Sequence, residues 1–101
     1  MINLMNNLVS KIDMNFSSLA LNELLKNNLK TLEYAQATDI QQQAIPFILA
    51  DNDVMARAKT GTGKTAAFAL PILNKLMAVE ARTNNVTTLV LAPTRELVQQ
   101  I

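Results

Sequence analysis

The residues with the clearest chemistry form one short run, Ala58-Lys59-Thr60-Gly61-Thr62-Gly63-Lys64-Thr65. This run has the layout of a phosphate-binding P-loop, with alanine at the position where the commonest pattern has glycine. Its two glycines let the backbone curl so that successive N–H groups point at one anion. Lys64 could then reach the terminal phosphates of a nucleotide, and the Thr65 hydroxyl could bind Mg²⁺. The alternative is an ordinary glycine-rich turn that matches by chance.

The segments around this run favour the P-loop interpretation. An apolar stretch at 54–58 predicts a strand that leads into the loop, and 65–77 predicts a helix that leads out. The β-branched run 87–92 predicts a second strand, buried on both faces. Pro93 ends that run, and a further helix is expected to begin near Thr94. The order strand, loop, helix, strand, helix is that of a βαβ unit in an α/β fold with a parallel sheet.

Composition narrows the class of protein. The chain has 101 residues, of which 50% are hydrophobic and 17% charged, as expected of one small globular domain or part of a larger one. It contains neither Cys nor His, which excludes disulfides, thiolate or imidazole metal sites and His-based acid–base chemistry. No secretory signal and no membrane-spanning run is visible, so a cytoplasmic location is expected. The net charge of +1 means that any nucleic-acid binding must depend on local placement of charge.

The part of the chain before the loop reads as helical. Residues 1–13 form an N-terminal extension, either a terminal helix or a segment outside a functional domain that opens at Met14. A helix is expected over 18–29, capped by Asn22. Thr38 and Gln41 have the spacing of a capping box, which predicts the start of another helix. Pro46 is expected to start a separate short helix.

Two further segments allow a structural and a functional interpretation. Read locally, Gln41 is the capping partner of Thr38, and Tyr34 is an ordinary half-buried aromatic residue. Thr94 could be a helix N-cap followed by a solvent-facing Arg95. The same Thr and Arg, after a strand and Pro93, could also contact a second phosphate such as that of a nucleic-acid backbone.

Taken together, the three segments resemble one family, the DEAD-box RNA helicases, and in particular its general-purpose bacterial members. The P-loop run looks like motif I of that family, Pro93-Thr94-Arg95-Glu96-Leu97 is similar to motif Ia, and Tyr34 to Gln41 resembles the Q motif. Phe16 lies where the family keeps an isolated upstream aromatic residue. The likeness runs from Met14 to Ile101.

The resemblance implies roles for the matched residues. Gln41 would read the adenine of ATP, with Tyr34 and Phe16 packed near that base. The loop N–H groups and Lys64 would hold the phosphates, and Thr65 would bind Mg²⁺. RNA would be contacted through its sugar-phosphate backbone by the residues Pro93, Thr94 and Arg95.

The resemblance also implies an architecture and its limits. The chain would be the first part of a RecA-like domain, divided into 1–13 (extension), 14–42 (Q-motif region) and 43–101 (start of the ATP-binding domain). Glu33 and Ala37 stand where the family usually has Gly and Pro, and Glu33 is expected either to strain the turn or to place a charge near the base pocket. The DEAD segment and the second RecA-like domain are not in this sequence, so the chain by itself is expected not to hydrolyse ATP at a useful rate. The alternatives are a non-catalytic nucleotide-binding module and an unrelated P-loop ATPase, and the sequence leaves protein partners open.

Overall fold

The computed structural model describes residues 2–3, 15–79 and 84–101. Its elements in chain order are β1 (Ile2–Asn3), a 3-10 turn (Phe16–Ser18), α1 (Glu23–Thr31), α2 (Asp39–Leu49), β2 (Ala56–Arg57), α3 (Lys64–Met77) and α4 (Arg95–Gln99). Most of the extension predicted for 1–13 lies outside the described residues. Within the described ranges, no helix is both long enough and apolar enough to cross a membrane.

The first helix has the predicted cap at Asn22, but it begins at Glu23 rather than at residue 18, which ends the 3-10 turn. The Asn22 side chain accepts a hydrogen bond from the Leu24 N–H at 2.9 Å, which satisfies one of the unpaired donors of the first turn of α1. The Asn22 backbone N–H in turn donates to the Asn74 side chain of α3 at 2.6 Å. The confirmed cap therefore also ties the start of α1 to the helix that follows the P-loop.

The end of α1 is closed by an acidic residue in a conformation that favours glycine. Glu33 has a φ of 63°. The N–H of Tyr34 donates to the Leu29 carbonyl at 2.8 Å, and the N–H of Glu33 donates to the Lys30 carbonyl at 3.1 Å. This pair of bonds is a Schellman motif, whose left-handed position is usually glycine. The strain expected at Glu33 therefore has a geometric basis.

The second helix is one continuous element rather than the two that the sequence suggests. α2 runs through Pro46, so the expected break at that residue is wrong. Proline removes one intrahelical donor. However, Ala44 and Ile45 on one side of it are buried, and Ile48 and Leu49 on the other side pack against the same core. Tertiary packing on both sides of the proline therefore holds the helix together.

The end of α2 repeats the motif seen after α1. Asp51 has a φ of 64°, and its N–H donates to the Ile48 carbonyl at 3.0 Å. The Asn52 N–H reaches the Phe47 carbonyl, also at 3.0 Å. The Asp51 carboxylate forms an ion pair with Lys75 near the end of α3. The connection from α1 to α2 and the connection from α2 to β2 thus each begin near an acidic residue with a strained, left-handed backbone.

The sheet in the described residues is smaller than the sequence predicts. The strand expected over 54–58 is present as Ala56–Arg57, and it pairs in parallel with Ile2–Asn3. The strand expected over 87–92 is not formed, so the predicted βαβ unit is not completed. That segment has no ladder partner within the described chain, and Leu89 and Leu91 are 77% and 83% exposed. A strand needs a hydrogen-bonding neighbour, and β propensity does not replace one.

The core lies where α2 packs against α3. One cluster of buried side chains joins the 3-10 turn, α1, α2 and α3: Phe16, Leu19, Leu21, Leu29, Ala37, Ile45 and Leu70. A second cluster lies between α2 and the first turns of α3: Ile40, Ala44 and Ala67. Burying such side chains stabilises by about 1.5–3 kcal/mol for each large aliphatic residue. Because α3 begins at Lys64, this packing fixes the P-loop against the start of α2.

Candidate functional site

The loop between β2 and α3 has the backbone shape that a P-loop requires. Gly61 and Gly63 have φ angles of 83° and 84°, in the left-handed region that glycine tolerates best. Gly63 is the N-cap of α3, which starts at Lys64, one residue before the predicted position. The loop therefore leads directly into a helix N-terminus, where the free N–H groups and the helix dipole both favour binding of an anion.

Two side chains stabilise the loop from within. The Thr62 hydroxyl donates to the Lys59 carbonyl at 2.6 Å. The Lys64 ammonium donates to the Ala58 carbonyl at 2.8 Å, so the lysine side chain folds back along the loop that precedes it. An ammonium group has three donors, and this bond uses one of them. Lys64 is thus placed inside the loop with capacity to bind an anion there.

Gln41 connects the start of α2 to the P-loop. Its side chain is 3% exposed. Its Oε1 accepts the Thr38 N–H at 2.9 Å, which forms the glutamine half of the predicted capping box. Its Nε2 donates to the Gly63 carbonyl at 3.1 Å. The sequence predicts the first bond, but the second joins residues 22 positions apart and no local pattern indicates it.

The remaining hydrogen-bonding capacity of the Gln41 amide allows both interpretations of that residue. A carboxamide has two N–H donors and two acceptor lone pairs. The bonds to Thr38 and Gly63 use one of each. One donor and one acceptor are left, which is the pair that the adenine edge requires. The capping role and a base-reading role are therefore compatible in one side chain.

Gly63 is constrained by space as well as by conformation. A Cβ atom at this position would lie 2.4 Å from Gln41 Nε2 and 3.3 Å from Thr38 Oγ1. At Gly61, by contrast, a Cβ would meet nothing within 4 Å. Only the second glycine of the loop is therefore needed for close approach to the start of α2.

The two aromatic candidates lie together on the α1 side. Phe16 is buried, with 3% exposed, whereas Tyr34 is 52% exposed. Their ring centroids are 6.3 Å apart at an interplanar angle of 73°, an edge-to-face arrangement. Phe16 therefore supports Tyr34 from the core. Both rings line a cavity of about 460 Å³ beside α1.

The departure at Ala37 is explained by packing. Ala37 is buried in the cluster that contains Phe16 and Ile45. Its carbonyl accepts a hydrogen bond from the Gln42 side chain at 2.8 Å. An alanine therefore fits this position, and the turn is held by the glutamine next to Gln41.

The predicted RNA-contacting residues lie at the start of α4. Thr94 is the N-cap, and its hydroxyl oxygen accepts the Leu97 N–H at 3.2 Å. Pro93, Thr94 and Arg95 line a cavity of about 410 Å³. The capping interpretation of Thr94 is correct, and its hydroxyl proton is still able to donate to a phosphate.

The opposite side of α4 faces the P-loop helix. Leu97, Gln100 and Ile101 line a mostly apolar cavity of about 480 Å³ that also reaches Lys64 and Thr65. The structure thus brings the far side of α4, rather than Arg95, towards the start of α3.

Thr65 is the predicted ligand for Mg²⁺. Thr65 lies exposed in the first turn of α3, where its hydroxyl could serve as one ligand. Within the described ranges, no group of three or more acidic, His or Cys residues is gathered to hold an ion. Thr65 could therefore contribute one ligand to a Mg²⁺ site.

Comparison with known proteins places this geometry in a family. The model of the DEAD/DEAH box helicase family matches residues 38–101. The ATP-dependent RNA helicase CshA of Limosilactobacillus reuteri is 45% identical over 87 residues, which cover 86% of this chain and 17% of that protein. The DEAD-box ATP-dependent RNA helicase 16 of Oryza sativa subsp. japonica is 44% identical over 93 residues, 88% of this chain and 14% of that protein. The chain thus spans less than a fifth of the length of these relatives.

A solved structure shows the same fold. A DEAD box protein from the hyperthermophile Methanococcus jannaschii superposes with a TM-score of 0.73 at 38% identity. The match covers 86% of this chain and 23% of the other. It confirms the predicted fold class, part of a RecA-like α/β P-loop domain, even though the second predicted strand is not formed. An unrelated P-loop ATPase is excluded by the family match, which includes the loop, α3 and α4. The chain belongs to the DEAD/DEAH box helicase family.

Proposed function

We propose that this chain is the front part of an ATP-dependent RNA helicase and supplies its ATP-binding loop. The observation that carries the proposal is the bond from Gln41 to the Gly63 carbonyl. It joins the segment that would read the base to the loop that would hold the phosphates. The names of the relatives support the same activity for the whole protein.

The phosphate end of the site would be formed by the loop itself. The N–H groups at the start of α3 and the Lys64 ammonium would bind the β- and γ-phosphates. Bound Mg²⁺ would neutralise the charge that develops during phosphoryl transfer. Thr65 would be the ligand that this chain supplies to it.

The base end would be formed by the residues before α2 and in its first turn. The free donor and acceptor of the Gln41 amide match N7 and the N6 amino group of adenine, whereas guanine has acceptors at both positions. Tyr34, supported by Phe16, would pack near the base. We assign base recognition to 14–42 and phosphate and RNA binding to 43–101, with 1–13 as an extension.

The RNA contact would lie at the start of α4. Thr94 and Arg95 would bind the sugar-phosphate backbone, and Pro93 would hold the turn before them. Such contacts are largely independent of base sequence.

Unwinding would require parts beyond these residues. In the whole helicase, ATP and RNA together would close two RecA-like domains and bend one strand out of the duplex. We expect this chain alone to bind nucleotide without useful hydrolysis. We place the whole protein in the cytoplasm, since a chain without cysteine suits a reducing compartment.

Steady-state ATP turnover in the full-length protein tests this proposal. Lys64→Ala should lower turnover at least about a hundredfold, because the loop loses its cation for the terminal phosphates. Lys75→Ala is the matched control, since Lys75 lies on the same helix in an exposed ion pair with Asp51. Near wild-type turnover in Lys64→Ala would disprove the assignment.

A further inference from the structure

A hydrogen bond far from the P-loop joins α1 to α3. The backbone N–H of Asn22 donates to the Asn74 side chain at 2.6 Å, between residues 52 positions apart. Because a backbone N–H requires an acceptor, the atom that receives it is Oδ1 of the Asn74 amide. Asn22 is the N-cap of α1, so its N–H lies outside the hydrogen bonds of that helix and is free for this contact.

The α1 side of this bond is continuous with the proposed base site. The Tyr34 N–H donates to the Leu29 carbonyl in the last turn of α1 at 2.8 Å. The Phe16 N–H donates to the Ala35 carbonyl at 3.4 Å, which brings the second aromatic residue to the same turn. Both rings that would pack near the adenine are therefore attached to the C-terminal end of α1, and the bond to α3 holds its N-terminal end.

The α3 side of the bond is continuous with the proposed phosphate site. Asn74 is half-buried and lies on the helix that begins at Lys64, about 15 Å further along at about 1.5 Å per residue. Leu70, one turn nearer to the P-loop, is buried in the same cluster as Leu29 of α1. Pro71 is fully buried, so packing holds α3 at the point where a missing N–H would loosen it. The position of Asn74 is therefore fixed relative to the P-loop.

The base end and the phosphate end of the proposed site are thus connected twice. One connection is the bond from Gln41 to the Gly63 carbonyl, and the other is the bond from Asn22 to Asn74. We propose that Asn74 is a positioning residue for the nucleotide, because it fixes α1 relative to α3 and with it the distance between the aromatic rings and the P-loop. This proposal rests on the proposed ATP site and adds a residue that does not itself touch the nucleotide.

A residue that sets this distance should affect only ligands that occupy both ends of the site. ATP fills both ends at once, so its second contact is intramolecular and depends on whether the two ends lie at the separation that ATP spans. Inorganic triphosphate fills the phosphate end alone, and adenosine fills the base end alone. The effect on ATP is limited to the contribution of one hydrogen bond, which corresponds to a factor of about two to ten.

Two replacements of similar shape separate the acceptor from the packing of the side chain. Asn74→Leu removes the Oδ1 acceptor and keeps a branched side chain of similar size, whereas Asn74→Asp keeps an oxygen acceptor for the Asn22 N–H. With saturating RNA and the full-length protein, Asn74→Leu should raise the KM for ATP about two- to tenfold at unchanged kcat. Asn74→Asp should keep the wild-type KM. Asn28→Leu, at an exposed position of α1, is the matched control and should also keep it.

Competition with the separate parts of the nucleotide distinguishes positioning from general damage. The Ki values of inorganic triphosphate and of adenosine against ATP turnover should be the same in Asn74→Leu as in the wild type. If the Ki of triphosphate rises as much as the KM for ATP, the P-loop itself is distorted and the positioning role is wrong. A KM in Asn74→Asp as high as that in Asn74→Leu would also contradict it.

The Lys64→Ala assay separates failure of this inference from failure of the proposed function. If Lys64→Ala abolishes turnover while Asn74→Leu keeps the wild-type KM, the bond serves only the stability of α1 and the ATP site stands. If Lys64→Ala retains near wild-type turnover, the ATP site is wrong and the role of Asn74 falls with it.

Discussion

At the scale of single residues, the candidate site depends on one amide that serves two segments. Gln41 accepts the Thr38 N–H and donates to the Gly63 carbonyl while almost fully buried. A buried amide that loses a partner costs about 1–3 kcal/mol, so both partners are constrained. The orientation of the proposed base-reading group is therefore set by the loop that we propose binds the phosphates.

Replacement of Gln41 separates base reading from capping. In the full-length protein, Gln41→Ala should bring the ratio of kcat/KM for ATP over GTP towards one, because the adenine edge loses its partner. Gln42→Ala is the control of the same residue type, since Gln42 bonds to the Ala37 carbonyl instead. A wild-type ratio in Gln41→Ala would leave Gln41 with the capping role alone.

The two loop glycines should differ in what they tolerate. Gly61→Ala should cost about 1–2 kcal/mol of unfolding free energy from the left-handed backbone alone. Gly63→Ala should cost a further 1–3 kcal/mol or so, since its Cβ would overlap Gln41 Nε2. Urea unfolding without nucleotide measures both. Equal losses would mean that Gln41 moves aside at no cost.

At the scale of elements, the helix ends explain how a chain with 2 glycines makes its turns. Both glycines lie in the P-loop, so the left-handed positions after α1 and α2 fall to Glu33 and Asp51. A side chain in that conformation costs roughly 1–2 kcal/mol. The two Schellman motifs persist because the flanking core holds both helices in place.

Glycine at these ends should therefore stabilise the fold. Glu33→Gly should raise the unfolding free energy by roughly 0.5–1 kcal/mol, the relief of strain less the entropy that glycine adds to the unfolded chain. Asp51→Gly should gain less, since it also removes the exposed ion pair with Lys75. Thermal unfolding of both variants checks the order. A loss of stability in Glu33→Gly would show that its carboxylate makes an unrecognised contact.

At the scale of the whole molecule, the charge balance limits how RNA could be held. The net charge is +1, and two of the cations, Lys26 and Lys75, lie beside an acidic residue. This balance argues against a broad basic surface on this chain, so each cationic contact that it makes should carry a measurable share of the salt dependence.

Replacement of Arg95 tests whether a single cationic contact carries a measurable share of the salt dependence of RNA binding. Arg95→Ala in the full-length protein should weaken binding to every RNA sequence and reduce the salt slope by about one contact. The affinity for ATP without RNA should not change, because Arg95 lines a cavity that contains no P-loop residue. If titrations at two salt concentrations coincide with the wild type, Arg95 is only a solvent-facing helix residue.

Local chemistry accounts for the parts of the fold that the sequence predicts well. The caps at Asn22 and Thr94 and the bond between Thr38 and Gln41 form between residues at most three apart. The parts that the sequence misjudges depend on distant partners. Pro46 remains inside α2 because core packing on both sides of the proline holds the helix. The segment 87–92 is unpaired because the described residues provide no neighbouring strand for it.

The candidate site also has some features that local sequence predicts and others that depend on contacts between elements. The left-handed glycines of the loop follow from the motif itself. The contact of Gln41 with Gly63 and the position of Phe16 beneath Tyr34 follow from how α2 packs on α3 and on the 3-10 turn. Periodicity describes one element at a time, so contacts between elements are not visible in it.

The double bonding of Gln41 has a consequence for how mutations combine. Changes at residues that share a partner do not add in free energy. Thr38, Gln41 and Gly63 form such a set, because the same amide links the other two. Thr38 and Gly63 take part through backbone groups, so removal of the Gln41 side chain breaks both bonds, and it also removes the atom that a Cβ at Gly63 would overlap. Gly63→Ala should therefore cost less stability in the Gln41→Ala variant than in the wild type.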